Sequence, residues 1–137
     1  MIPTLALQEA IRAQFLADGT IPLYVEPARI RAASVRPEQL PAIHLSGLRT
    51  EILGRASGGQ IVAEVRAMAH LWAMQDGSGT AEGIAAAMMM ALMDAPQANG
   101  FDIDEWERPT LAWTDQPGLD GAAHGAVALR AVIRWRE

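Results

Sequence analysis

The stretch Gln60–Leu92, QIVAEVRAMAHLWAMQDGSGTAEGIAAAMMMAL, decides the fold of this 137-residue chain. Polar and apolar residues alternate over Gln60–Met74, which is the period of a β-strand with one buried face. The short turn DGSG ends this alternation. The next residues, from Thr80 to about Asp94, are almost all apolar and predict a helix that stops before Pro96.

The alternation in Gln60–Met74 also predicts which side chains meet the core. One face carries Ile61, Ala63, Val65, Ala67, Ala69 and Leu71, and the other carries Glu64, Arg66, His70 and Trp72. A strand of about 15 residues spans roughly 50 Å, whereas a compact domain of this size is about 37 Å across. The strand must therefore bend, carry a bulge or project from the domain.

The remaining elements predict an α+β fold. We expect a mostly antiparallel or mixed sheet of four to five strands, with two main helices packed on one face. We expect residues 1–137 to form a single domain, with a projecting hairpin arm around residues 47–60. The further predicted elements are a helix at Thr4–Ala17, strands at Arg29–Ser34, Ala42–Gly47, Glu105–Thr114 and Ala122–Arg136, a polar connector at Leu48–Gly59 and a turn at Asp115–Gly121.

Composition narrows the classes of function. Half of the residues are hydrophobic and a fifth are charged, which is typical of a globular domain. The net charge of −5 argues against a nucleic-acid-binding face. The absence of cysteine excludes disulfides and thiol chemistry. No apolar run approaches the roughly 20 residues of a membrane span, and no secretory signal precedes the first helix, so we expect no membrane partner and synthesis in the cytoplasm.

Three histidines are candidates for chemistry. His44, His70 and His124 each fall on the polar face of a predicted strand, so they can converge in the sheet. A metal or catalytic site would need them at matching heights with supporting partners, and no local ligand spacing such as HExxH occurs. Hydrogen-bonded or solvated surface histidines are the alternative interpretation, which the sequence favours.

Other polar patterns are weak signals. The acidic residues Asp102, Asp104, Glu105 and Glu107 lack the spacing of a calcium loop. The glycines of DGSGTAEG are not followed by a phosphate-binding lysine. Arg130, Arg134 and Arg136 alternate on one strand face, where phosphate contact is possible but pairing with Glu64 or the acidic run explains them more simply. We therefore predict no enzymatic activity, no cofactor and no metal.

The helix after the turn differs from an ordinary surface helix, because apolar residues surround it on all sides. Methionine fills cores but also forms adaptable binding surfaces, and three consecutive methionines cover most of a turn. We therefore interpret this helix and the outer face of the long strand as buried by other copies of the chain. The predicted subunit contacts are Met68, Trp72, Ile84, Met88, Met89 and Leu92.

Several segments in order resemble one known family, the tail terminators or tail-completion proteins of long-tailed phages, prophages and gene transfer agents. The first segments are LQEAIRAQFLADG from Leu7, Arg29-Ile30 and LPAIHLSG from Leu40. The later ones are VRAMAHLWAM from Val65, DGSG, TAEGIAAAMMMALMDAP from Thr80 and DGAAHGAVALRAVIRW from Asp120. The resemblance spans nearly the whole chain, and its motifs are patterns of hydrophobicity with a few repeated residues.

The resemblance implies a structural virion protein that caps the tail tube. Such proteins form a homo-oligomeric, hexameric ring at the head-proximal end of the tail, end tube polymerisation and provide the surface for head–tail joining. The implied partners are the major tail tube protein and head–tail connector proteins. DNA passes through the channel without sequence-specific binding, and assembly takes place in the host cytoplasm.

Two alternatives stay open at this point. One is a head-closure or other connector component of the virion. The other is a small metal-dependent, ligand-binding or enzymatic α/β domain that uses the three histidines.

Overall fold

The computed structural model describes residues 2–75, 77–97, 99–114 and 121–137. Its helices are α1 (Thr4–Ala17), α2 (Ile21–Tyr24) and α3 (Thr80–Ala91), with a 3₁₀ turn at Pro27–Arg29. Its strands are β1 (Ile30–Ala32), β2 (Ala42–Ala56), β3 (Gln60–Met74), β4 (Asp102–Trp113) and β5 (Ala122–Arg136). The turn predicted at Asp115–Gly121 lies, except for Gly121, outside the described residues.

The described strands form one mixed sheet in the order β1-β2-β3-β5-β4. β1 runs parallel to β2, and the other neighbours are antiparallel. β3 therefore lies at the centre of the sheet, and its bounds agree with the predicted strand Gln60–Met74. The predicted fold class is confirmed.

The core lies between this sheet and the two main helices. Leu7, Ile11 and Phe15 give α1 one buried stripe at helical spacing. α1 packs against β1 and β2, and α3 packs against β3, β4 and β5. The predicted inner face of β3 is buried along its length, so both helices cover the same face of the sheet.

Helix α3 is buried by its own sheet along one stripe, whereas its apolar composition was interpreted as a sign of burial by other copies. Its buried residues form a single stripe, which consists of Ala81, Ile84, Ala85 and Met88, with Leu92 also fully buried just after the helix. Glu82, Gly83, Ala86 and Met90 are exposed on the other side. Alanine and methionine are strong helix formers and are tolerated at the surface, so an apolar composition does not by itself require a second buried face.

The sequence left two expectations for residues 47–60, a polar connector and a hairpin arm, and the structure shows a hairpin. β2 continues through it to Ala56 and pairs with β3, with register shifts between Ser46 and Arg49 and between Ile52 and Gly54. Gly58 and Gly59 have positive φ angles of 79° and 76° in the turn, a conformation that favours glycine. β5 pairs with β3 from Gln60 onward, so the β3 strand of this hairpin is covered by a neighbour along its length. The open edge of the hairpin is the outer half of β2.

None of the described helices is long and apolar enough to cross a membrane.

Candidate functional site

The face of the sheet opposite the helices is the candidate functional surface, and we call it the open face. In the centre of this face one cross-strand row runs through Ser46, Met68, Ala128 and Thr110. Met68, His70 and Trp72 are half-buried on it, although no helix covers them. A histidine cluster lies towards one end of the open face, and a network of ion pairs lies towards the other.

The histidine cluster joins three neighbouring strands. His44 of β2 lies directly opposite His70 of β3, and Trp72 of β3 lies directly opposite His124 of β5. His70 Nδ1 and His124 Nε2 are 2.8 Å apart, and the rings of His124 and Trp72 stack with centroids 4.0 Å apart. The three histidines therefore lie close together on the open face, as the sequence predicted.

Hydrogen bonds define the chemistry of these rings. His44 is buried, and its Nδ1 donates to the carbonyl oxygen of Val35 at 2.9 Å, since a carbonyl can only accept. Thr114 Oγ1 lies 2.8 Å from His124 Nδ1. Burial, and after it the nearby His44, lower the pKa of His70, while burial and then His70 lower the pKa of His124. Neutral rings are therefore the stable form of this pair near neutral pH.

The geometry does not support a metal centre at the cluster. The described part of the chain contains no group of three or more His, Cys, Asp or Glu residues arranged to hold an ion. The facing nitrogens of His70 and His124 are at hydrogen-bond distance from each other. In this arrangement these two nitrogens bond to each other and not to an ion, so the described residues do not support the metal-dependent alternative.

The ion-pair network occupies the other end of the open face. Arg66 and Arg130 both donate to Glu64, at 2.8 Å and 2.9 Å, and these bonds lower the pKa of Glu64. Arg130 also reaches Glu105, at 3.3 Å. The simpler interpretation of the arginines, pairing with Glu64 and the acidic run, is confirmed for Arg130.

Arg134 extends the same network towards the margin of the sheet. It pairs with Asp104 at 3.2 Å and lies 3.7 Å from Asp102. It also donates to the side-chain oxygen of Gln60 at 2.8 Å. The bonds to Asp104 raise the pKa of Arg134. Asp102 and Asp104 therefore pair with Arg134, and Glu105 pairs with Arg130.

The six residues predicted as subunit contacts fall in different places. Met68 and Trp72 lie half-buried on the open face. Met89 is partly buried and packs against the core. Ile84, Met88 and Leu92 are 0% exposed within the subunit, so these three have no surface to offer a neighbour, and the expectation for them needs correction.

The structure exposes apolar side chains that are not among the six predicted contacts. On the α3 side these are Met90 and Met93, at 63% and 40% exposure. On the hairpin they are Ile52 and Leu53, at 60% and 52%. Adjacent isoleucine and leucine in an otherwise polar segment were the available signal, because a regular strand would place one of them inward.

One face of the sheet carries the helices, and the open face presents methionine, tryptophan and paired charges across four strands. The chain belongs to the family of Tail completion protein gp17, whose pattern it matches over residues 9–134. It is thus a structural protein of the phage-tail class.

The fold is also similar to that of a chain from a solved structure described as the virion of a native gene transfer agent particle. The two share 19% sequence identity and a TM-score of 0.72, over 97% of this chain and 98% of the other. At this identity the likeness concerns the fold. No curated protein sequence gives a significant match.

Proposed function

We propose that this chain is a tail terminator, which forms a homo-oligomeric and hexameric ring at the head-proximal end of the tail tube. The ring ends tube polymerisation and gives head–tail connector proteins a surface to bind. Membership of the tail-completion family supports a role in the tail. The ring and its position are our extension of that role.

The observation that carries the proposal is the open face. Strands of 12 to 15 residues make up its four long members, while α1 and α3 cover only the opposite face. Met68 and Trp72 lie half-buried on this surface, where no helix covers them, and apolar side chains on a sheet face that lacks a helix layer favour contacts with other proteins. We therefore assign the open face, with Met68 and Trp72, to contacts between assembled proteins.

The hairpin supplies a second contact surface in this proposal. Ile52 and Leu53 lie exposed on the outer half of β2, which has no strand beyond it among the described residues. An edge strand with exposed apolar side chains is normally covered in the mature assembly. Met89, with its exposed neighbours Met90 and Met93, is the third candidate surface.

Termination follows from the difference between the two ends of such a ring. One end is complementary to the last ring of the major tail tube protein, and the other end does not reproduce that surface, so no further tube ring adds. A heterologous contact that closes on itself gives a ring rather than a filament. The net charge of −5 disfavours binding to phosphates, which suits a channel that DNA crosses without sequence-specific contact.

Light scattering coupled to size exclusion tests the proposal, with the protein alone and mixed with purified tail tubes. We expect a species of six copies, either free or formed on the tube end. Wild-type protein that stays monomeric and does not bind tubes would refute it. Binding to connector proteins without binding to the tube end would indicate a head-closure component instead. In either case we propose that assembly takes place in the host cytoplasm.

A further inference from the structure

Residues 33–41, which connect β1 to β2 and which we call the cover segment, lie over the histidine cluster. The backbone N–H of Ala33 donates to Leu45 at 3.2 Å, and Arg29 donates to the carbonyl of Leu40 at 3.4 Å. Between these ends, the segment is held to the open face by two contacts with the cluster. His44 donates to the carbonyl of Val35, and the Arg36 guanidinium lies 5.5 Å from the ring centre of Trp72.

The cluster beneath the segment is a continuous stack. Trp72 lies between Arg36 and His124, with an angle of 10° between the Trp72 and His124 rings. His124 in turn stacks on His70, at 5.0 Å between centroids. Together these residues line a small pocket of about 100 Å³, one side of which is formed by the cover segment. A displacement of either imidazole therefore displaces the surface on which Arg36 rests.

One hydrogen bond makes this stack sensitive to protons. His70 Nδ1 and His124 Nε2 face each other at 2.8 Å, so one nitrogen must carry the proton and the other must be bare. A first added proton is compatible with this bond, because a charged His124 still donates to His70 and to Thr114. A second added proton is not compatible, since two N–H groups then point at each other between two positive rings.

The other groups around the pair increase this effect. Arg36 from the cover segment lines the pocket with His44 from β2, and Arg31 of β1 lies opposite His44 in the sheet. The described residues that line the pocket include no carboxylate. Among acidic side chains of the described residues, Glu26 and Glu38 line the neighbouring groove, which His44 and Arg36 also border, and Glu82 lines a pocket beside Thr114.

We propose that the histidine cluster is a pH-operated latch that holds the cover segment on the open face and releases it when both His70 and His124 become charged. Release separates the two rings, withdraws His124 from Trp72 and uncovers the pocket. The inference concerns this subunit alone and does not depend on ring formation.

The direction of the pH dependence follows from the lowered pKa values of His70 and His124. A free histidine has a pKa of about 6.5, so the open form takes up protons before the closed form does. The latch is therefore fully closed above about pH 6.5 and opens as the pH falls below it. If the closed form holds the pKa of one of these histidines one unit lower than the open form does, the equilibrium constant for opening at acid pH is about tenfold larger.

Hydrogen–deuterium exchange of the backbone amides between pH 7.5 and 4.5, corrected for intrinsic exchange rates, tests the latch. We expect the protection of the Ala33 amide, which donates to Leu45 at the start of the cover segment, to fall at least about tenfold across this range, while residues 65–69 in the centre of β3 stay protected. A cover segment that keeps its protection at pH 4.5 would overturn the proposal. So would loss of protection in both regions at the same pH, because that is global acid unfolding.

The variant His70→Asn tests whether opening requires a second proton on the His70–His124 pair. Its side-chain oxygen can accept from His124 as His70 Nδ1 does, but it cannot become charged, so the cover segment is expected to stay protected down to pH 4.5. Glu51→Gln is the matched control, since it removes a titrating group from β2 outside the cluster and is expected to behave as wild type. If the cover segment of His70→Asn opened at the same pH as that of wild type, the second proton on the His70–His124 pair would not be the cause of opening.

Discussion

The Arg130 side chain of β5 donates to the Glu64 carboxylate of β3 across the open face, at 2.9 Å between Nε and Oε2. Arg66 donates to the other oxygen of the same carboxylate at 2.8 Å. One carboxylate thus pairs with two arginines on the central strands, and Glu51 lies opposite it on β2.

We expect Glu64→Gln to lower the resistance to urea slightly at pH 7, because it leaves Arg66 and Arg130 without their shared partner. The hydrogen bonds from Arg66, followed by those from Arg130, lower the pKa of Glu64. The stabilisation is therefore present above about pH 4.3 and is lost as the pH falls below that value. Urea midpoints of wild type and variant should converge between pH 5 and pH 3.

Glu51→Gln is the control for that measurement. It removes the like charge opposite Glu64 and is expected to leave the urea midpoint at pH 7 unchanged or slightly higher. If Glu64→Gln and Glu51→Gln gave the same change, the bonds to the arginines would not be the cause.

Helix α3 provides a paired test of which methionines serve the core. Met88 is 0% exposed and Met90 is 63% exposed. Met88→Ala is expected to lower the free energy of unfolding by about 2–5 kcal/mol, because it leaves a cavity. Met90→Ala is expected to change it by less than about 0.5 kcal/mol. Chemical denaturation followed by circular dichroism measures both, and equal effects would contradict the assigned face of the helix.

Two glycines predict opposite responses to alanine. A Cβ on Gly125 would lie 3.0 Å from the ring of Trp113 and 3.3 Å from Leu111. We therefore expect Gly125→Ala to cost about 1–3 kcal/mol of stability and to displace Trp113. Gly83 lies exposed in α3 with nothing within 4 Å of its Cβ position, so Gly83→Ala is expected to stabilise the fold by about 0.5–1 kcal/mol.

Thermal denaturation ranks the two glycine variants against wild type. A Gly125→Ala variant as stable as wild type would show that Trp113 moves aside without cost. A Gly83→Ala variant of lower stability would contradict the exposed position of that residue.

The open face predicts a variant that assembles poorly but folds normally. Met68→Glu places a charge at the centre of this face and should abolish the hexamer in light scattering, while the unfolding midpoint stays close to that of wild type. Ala13→Glu is the control, since it adds the same charge at an exposed position of α1, outside the three candidate contact surfaces. Loss of the hexamer in Ala13→Glu but not in Met68→Glu would contradict the assignment of the subunit contact to the open face.

The sequence predicted β3 closely because its alternation is regular and both of its ends are marked by glycine-rich turns. The hairpin was harder to predict, since Arg49–Ala56 is solvent-exposed and its side chains carry no alternation of polarity. The bulge near Leu53 also breaks the period of two. Exposed edge strands are specified by pairing with their neighbour, and a single sequence does not show that pairing.

The predicted contacts on α3 were wrong for Ile84, Met88 and Leu92 for a different reason. A helix with alanine and methionine on every side has no polar face to identify the outside, so periodicity could not distinguish core from surface. The three histidines could be assigned to a strand face from alternation. Their convergence required the strand order β2-β3-β5, which local sequence does not encode.

The length of assembled tail tubes, measured by electron microscopy with and without this protein, tests the central claim most directly. Our account predicts that added protein stops tube growth and appears as a ring of density at one end of each tube. Tubes that grow to the same lengths in its presence, without added density at either end, would contradict it.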